Sequence, residues 1–113
     1  MNYFGINDSE HALICGVLRR HDEVAEARIF GSRAKGSFQP NSDIDLALLG
    51  NISFSTLAAI AGELDELPLP YTFDVQVYDV IRHQPLREHI ERVGQIFYSR
   101  KNKTLVSDAV GHA

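Results

Sequence analysis

Gly31-Ser32-Arg33-Ala34-Lys35-Gly36-Ser37-Phe38-Gln39-Pro40-Asn41-Ser42-Asp43-Ile44-Asp45 is the stretch on which the fold turns. Upstream of it, Val24 to Phe30 reads as a strand that runs into the Gly31-Ser32 turn. Downstream, Asp43 to Leu49 alternates as a second strand, with Ile44, Leu46 and Leu48 on one face and Asp43, Asp45 and Ala47 on the other. The apolar face must look inward, so both carboxylates look outward. At the start of the segment, the glycine-serine turn offers backbone N–H groups and a hydroxyl to phosphate oxygens. A turn of this kind followed by two carboxylates on one strand face can hold a nucleoside triphosphate.

The flanking segments supply the rest of a small domain. Asp8 or Ser9 can cap a helix that carries Leu13, Ile14, Val17 and Leu18 at helical spacing and runs to about Arg20. Residues 32–36 allow one helical turn, and Gln39-Pro40-Asn41-Ser42 has the composition of a loop. Ser53 or Ser55 can cap a second long helix with Leu57, Ala58, Ala61, Leu64 and Leu67, which stops at Pro68-Leu69-Pro70. Tyr71 to Tyr78 returns to strand alternation, Phe73, Val75 and Val77 inward and Thr72, Asp74 and Gln76 outward. Pro85 fits the first turn of a last helix with Leu86, Ile90 and Val93 on one side and Gly94 as its stop. Gln95 to Ser99 reads as a short extended piece. This order predicts an α/β (α+β) domain over residues 1–100, a small mixed sheet covered on one face by helices, with residues 101–113 as a flexible tail.

The open face of that sheet gathers charge. If the second and third strands are neighbours, Asp43, Asp45 and Asp74 share one patch, since adjacent strands lie ~4.8 Å apart. Three like charges repel, and hard divalent ions with oxygen ligands are the usual compensation. With two such ions ~4 Å apart, one lowers the pKa of an attacking hydroxyl and the other neutralises charge on a departing pyrophosphate. Asp79 is the alternative third carboxylate, but it follows Tyr78 at the strand's end and reads as the start of a turn. Gly31 lets the backbone approach the phosphates and Ser32 offers its hydroxyl. Arg33 and Lys35 can bring positive charge there or can be solvated helix residues.

Composition narrows the function further. With 113 residues and 44% hydrophobic content, the chain can build one packed core and little else. A formal charge of −4 argues against indiscriminate or direct sequence-specific binding of nucleic acid. The charge is unevenly spread: twelve of fifteen acidic residues precede position 81, whereas six of eleven basic ones, Arg82, Arg87, Arg92, Arg100, Lys101 and Lys103, follow it. The C-terminal third is therefore a candidate docking surface for an acidic partner or RNA, against the plainer reading of a solvated helix face and tail. The single cysteine, Cys15, excludes an internal disulfide and sits among apolar residues as a small core side chain. His11, His21, His83, His89 and His112 share no ligand spacing, which leaves them surface or packing roles. No apolar stretch approaches the ~20 residues of a membrane span, and the N-terminus lacks a secretory pattern, so a cytoplasmic location is expected.

The segment Gly31-Ser32, ten residues, Asp43-Ile44-Asp45, and about thirty residues later Phe73-Asp74-Val75, resembles the DNA polymerase beta superfamily of nucleotidyltransferases. The wording Phe30-Gly31-Ser32-Arg33-Ala34-Lys35-Gly36 and Ser42-Asp43-Ile44-Asp45-Leu46 is similar to its minimal nucleotidyltransferases, the MNT proteins, over residues ~8 to 98. The resemblance implies a polymerase-beta-like palm in which Asp43 and Asp45 bind two Mg²⁺ ions, with Mn²⁺ as a possible substitute. It further implies that Asp74 completes the site of the ion that activates the acceptor, and that Gly31 and Ser32 hold the triphosphate of ATP. Many such chains pair with a small helical HEPN-type protein as its antitoxin, in some cases transferring AMP to a tyrosine of that partner.

Size points the same way without the family. A transferase must also hold its acceptor, and this chain spends nearly all its length on the nucleotide half, so the acceptor surface is expected on a second copy or on a helical protein docking near the basic C-terminal helix. Two functional classes follow. One is a Mg²⁺-dependent enzyme that adenylylates a hydroxyl of its partner and thereby silences it. The other is a binding module that neutralises a helical partner by occlusion and keeps only a vestigial nucleotide pocket.

Overall fold

The structure is a computed structural model that describes residues 2–100; Met1 and the expected tail at 101–113 lie outside the described residues. The chain opens with a small hairpin, β1 (Asn2–Tyr3) and β2 (Ile6–Asn7), that the sequence pattern did not announce. Its turn places Phe4 and Gly5 in the left-handed region, at φ 59° and 78°, the conformation of a tight type I′ connection. Asn7, rather than Asp8 or Ser9, caps α1 (Asp8–Arg19). Its side chain accepts the Glu10 N–H at 2.8 Å while Glu10 accepts the Asn7 N–H at 3.1 Å, a reciprocal cap worth about 1 kcal/mol.

The strands expected around the Gly31 turn form, the second of them starting at Ile44 rather than Asp43. β3 (Val24–Phe30) leads into the single-turn helix α2 (Gly31–Lys35), and β4 (Ile44–Gly50) follows the loop. Ser53 caps α3 (Phe54–Asp65), and β5 (Phe73–Val77), a 3-10 turn at Tyr78–Val80, α4 (Gln84–Val93) and β6 (Gln95–Ser99) complete the chain. The sheet order is β5-β4-β3-β6, with β3 antiparallel to both neighbours and β4 parallel to β5 across the α3 crossover. Among the described residues no helix is long and apolar enough to cross a membrane.

One face of the sheet carries Ala27, Ile29, Ile44, Leu46 and Leu48, which pack against Ile14, Val17 and Leu18 of α1 and Ile60 and Leu64 of α3. The other face is not left bare along its whole length, as the expectation of helices on one face had it. Phe30, Ala47 and Ile90 form a second apolar cluster, flanked by Tyr78, Ile81, Leu86 and Val93, so α4 covers the middle of that face. Ala47, read from the sequence as outward, is fully buried there. Asp43 and Asp74 stay exposed, so α4 leaves the acidic end of the same face open. Arg87 fixes the approach of α4: its guanidinium donates to the Tyr78 and Ile81 carbonyls at 2.8 and 3.2 Å and lies 4.3 Å over the Tyr78 ring.

Candidate active site

The strand register brings the acidic residues together. In the parallel β4/β5 ladder Asp45 stands opposite Asp74, so their side chains share a face on strands ~4.8 Å apart. Asp43 lies one residue ahead of β4 rather than inside it, at the end of the loop. In the antiparallel β3/β4 ladder Asp45 also stands opposite Phe30, which delivers Gly31 to its carboxylate. A Cβ built on Gly31 would meet Asp45 Oδ2 at 2.2 Å, and Gly31 has φ +74°. The left-handed backbone is what favours glycine at this position, since the Asp45 carboxylate is the far end of a side chain and can turn aside.

Charge is uncompensated at this point. Among the described residues none of Asp43, Asp45 and Asp74 forms an ion pair or accepts a hydrogen bond. Burial, then repulsion from Asp74 and Asp43, pushes the Asp45 carboxyl up from 3.8 to about 6, with Arg33 opposing. Among the described residues no three His, Cys, Asp or Glu side chains are gathered as a ready-made metal cage. The carboxylates are close enough to repel without closing on one point. That arrangement fits a hard divalent cation of the magnesium type, which is held by one or two carboxylates together with substrate phosphates rather than by an all-protein cage.

The phosphate side of the motif divides in two. Ser32 is partly exposed, its hydroxyl without a partner among the described residues, and Lys35 is exposed and unpaired among them. Both remain available to an anion. Arg33 does not: it is 2% exposed and turned into the protein. Its guanidinium donates to Ser42 O at 2.9 and 3.1 Å, to Phe4 O at 2.9 Å and to Pro40 O at 3.2 Å, and lies about 5 Å from the Phe38 and Tyr71 ring centres. The expectation that Arg33 contacts phosphate is therefore corrected. It clamps the loop that ends in Asp43, using the planar fork that lysine lacks.

His89 was given only a surface or packing role by the sequence. It occupies the inner side of α4 with Leu86, Ile90 and Val93, and its Nε2 accepts the Gly31 N–H at 3.2 Å. Its ring meets Phe30 edge-on at 6.1 Å. The signal was present in the chain, because His89 follows Leu86 by three residues and precedes Val93 by four, which puts it on the apolar stripe. The basic C-terminal third is less available than its charge suggests. Arg87 is committed to α4 docking, and Arg100 donates to the Val24, Arg19 and His21 carbonyls. Lys101 and Lys103 lie outside the described residues.

The fold is shared with known structures. A chain of a toxin–antitoxin complex solved with AMP-PNP superposes with a TM-score of 0.66 at 21% identity, covering 84% of this chain and 78% of that one. A chain of the MntA–HepT toxin–antitoxin complex gives 0.63 at 17% identity, over 88% and 79% of the two chains. A chain from the complex of a tri-AMPylated Shewanella oneidensis HEPN toxin with its MNT antitoxin gives 0.60 at 17%, over 85% and 75%. No protein of curated function matches the sequence at a significant level. The family model described as "Polymerase beta, Nucleotidyltransferase" matches residues 13–103, a span that takes in the Gly31 turn and all three aspartates, and the chain belongs to that family.

Proposed function

We propose that this protein transfers AMP from ATP to a hydroxyl, a tyrosine in the simplest case, of a small helical HEPN-type partner with which it forms a hetero-oligomer, and that it acts in this way as the partner's antitoxin in the cytoplasm. The observation that carries the reading is the register of β4 with β5, which sets Asp74 beside Asp45 with no protein cation pairing either carboxylate among the described residues. The structural neighbours assembled with HEPN toxins, one of them AMPylated, support the choice of acceptor.

In this reading Gly31 and Ser32 receive the triphosphate, and Lys35 lends it positive charge. Asp43 and Asp45 would hold two Mg²⁺ ions, and Asp74 would complete the site of the one that activates the acceptor. Bound magnesium would lower the pKa of the attacking hydroxyl and neutralise charge on the departing pyrophosphate. The acceptor oxygen forms its bond to the α-phosphorus as the bridge to the β-phosphate breaks. What the chain supplies is placement: the Arg33 clamp fixes Asp43, the ladders fix Asp45 and Asp74, and the close approach of Gly31 to Asp45 keeps phosphates and carboxylates adjacent.

The test is the intact mass of the helical partner after incubation with this protein, ATP and Mg²⁺. Adenylate increments are expected, and Asp43→Ala with Asp45→Ala should abolish them in a folded protein. An unchanged partner mass, together with full inhibition of the partner by the double variant, would instead establish neutralisation by occlusion.

A further inference from the structure

We propose that His89 is a positioning residue of the nucleotide turn, holding the Phe30–Gly31 peptide in the orientation that receives the terminal phosphates; this rests on the proposed function. Gly31 opens α2, and the first N–H groups of a helix have no partner within it. One of those donors is claimed here by a side chain 58 residues away in sequence. The ring is not free to choose another place. Phe30 meets it edge-on at 6.1 Å, Ile90 beside it is buried in the α4 cluster, and Gln95 just beyond α4 donates to the Ala34 carbonyl of α2 at 3.0 Å. These contacts hold α4 against the start of the short helix that carries Ser32, and the first residue of β6 against its end.

The chemistry of the bond is asymmetric. Because Nε2 accepts from the Gly31 N–H, the ring proton sits on Nδ1, and the imidazole must be neutral. Burial, with Arg92 on the same helix and Lys35 on α2, keeps its pKa below that of an ordinary histidine, which favours the accepting form. A Gly31 peptide with φ +74° has no side chain of its own to fix it. His89 fixes it from across the site, and so sets where the Ser32 hydroxyl and the adjoining N–H groups point. The ligand that senses this is one with β- and γ-phosphates.

The experiment compares ATP and AMP binding by calorimetry at fixed Mg²⁺ for the wild type, His89→Leu and His89→Gln. Leucine keeps bulk and removes the acceptor, whereas the glutamine carbonyl restores one at similar reach. Loss of one positioned hydrogen bond should weaken ATP about fivefold in His89→Leu, leave AMP unchanged, and be largely reversed in His89→Gln. A plain packing role predicts equal effects on ATP and AMP, and that outcome, or wild-type ATP affinity in His89→Leu, overturns the proposal alone. Absence of ATP uptake by the wild type overturns the proposed function and this inference with it. If the leucine variant does not fold, ¹⁵N NMR of the wild type decides: a proton on Nε2 of His89 is incompatible with the assignment.

Discussion

Replacing Asp45 by asparagine should stabilise the protein in the absence of nucleotide while ending its activity. The Asp45 carboxyl is half-buried and faces Asp74 and Asp43, which moves it from 3.8 to about 6. Its folded pKa thus exceeds its unfolded one. Well below pH 4 the group is protonated in both states and costs nothing; from there up to about 6 the unfolded chain ionises first, and stability falls as pH rises. Above about 6 the penalty is constant. At full weight a shift of this size corresponds to about 3 kcal/mol, and screening at a site this open reduces it to about 1 kcal/mol. For a domain of this length that is a rise in Tm of roughly 5 °C for Asp45→Asn at pH 7.5. Thermal melts followed by circular dichroism from pH 4 to 8 measure it directly. The gain should fall to less than half at pH 4. An asparagine variant that is less stable at pH 7.5, or whose advantage is the same at pH 4, refutes the idea that unrelieved charge is concentrated at Asp45.

Two other substitutions probe the scaffold of the site. Arg33→Lys keeps the charge but cannot reach the Ser42, Phe4 and Pro40 carbonyls together, so it should cost about 2 kcal/mol in urea unfolding; wild-type stability would show that the buried fork does not hold the Asp43 loop. Gly31→Ala places a methyl against Asp45 Oδ2 on a left-handed backbone, with an expected loss of about 1 to 2 kcal/mol in the same assay and a fall in AMP transfer of about 100-fold, whereas transfer near the wild-type rate would separate Gly31 from the chemistry.

The parts of this protein that were legible in its sequence are those set by local periodicity. β4 and β5 show a period of two, which turns Asp45 and Asp74 outward, and the pairing of the two strands sets them side by side. The boundary at Asp43 was misread by one residue because a loop pinned by Arg33 does not differ in pattern from a strand that begins there. Arg33 itself could not be placed from its neighbours. Burying a guanidinium requires carbonyls to satisfy it, and one of those belongs to Phe4, in a hairpin whose two-residue strands are too short to show any period. The second apolar cluster was half visible: Leu86, Ile90 and Val93 marked an inner face of α4, but nothing local said that this face would cross to Phe30 and Ala47. His89 lies on that stripe, but nothing local marks a histidine as the acceptor of an N–H 58 residues away in the chain.

The most direct measurement of the central claim counts divalent ions. Electron paramagnetic resonance of Mn²⁺ in the presence of a non-hydrolysable ATP analogue should show two bound ions per chain for the wild type, a single ion for Asp74→Asn, and none for the Asp43→Asn, Asp45→Asn double variant. Equal manganese binding by all three proteins would contradict the assignment of these carboxylates as the metal-binding heart of the site.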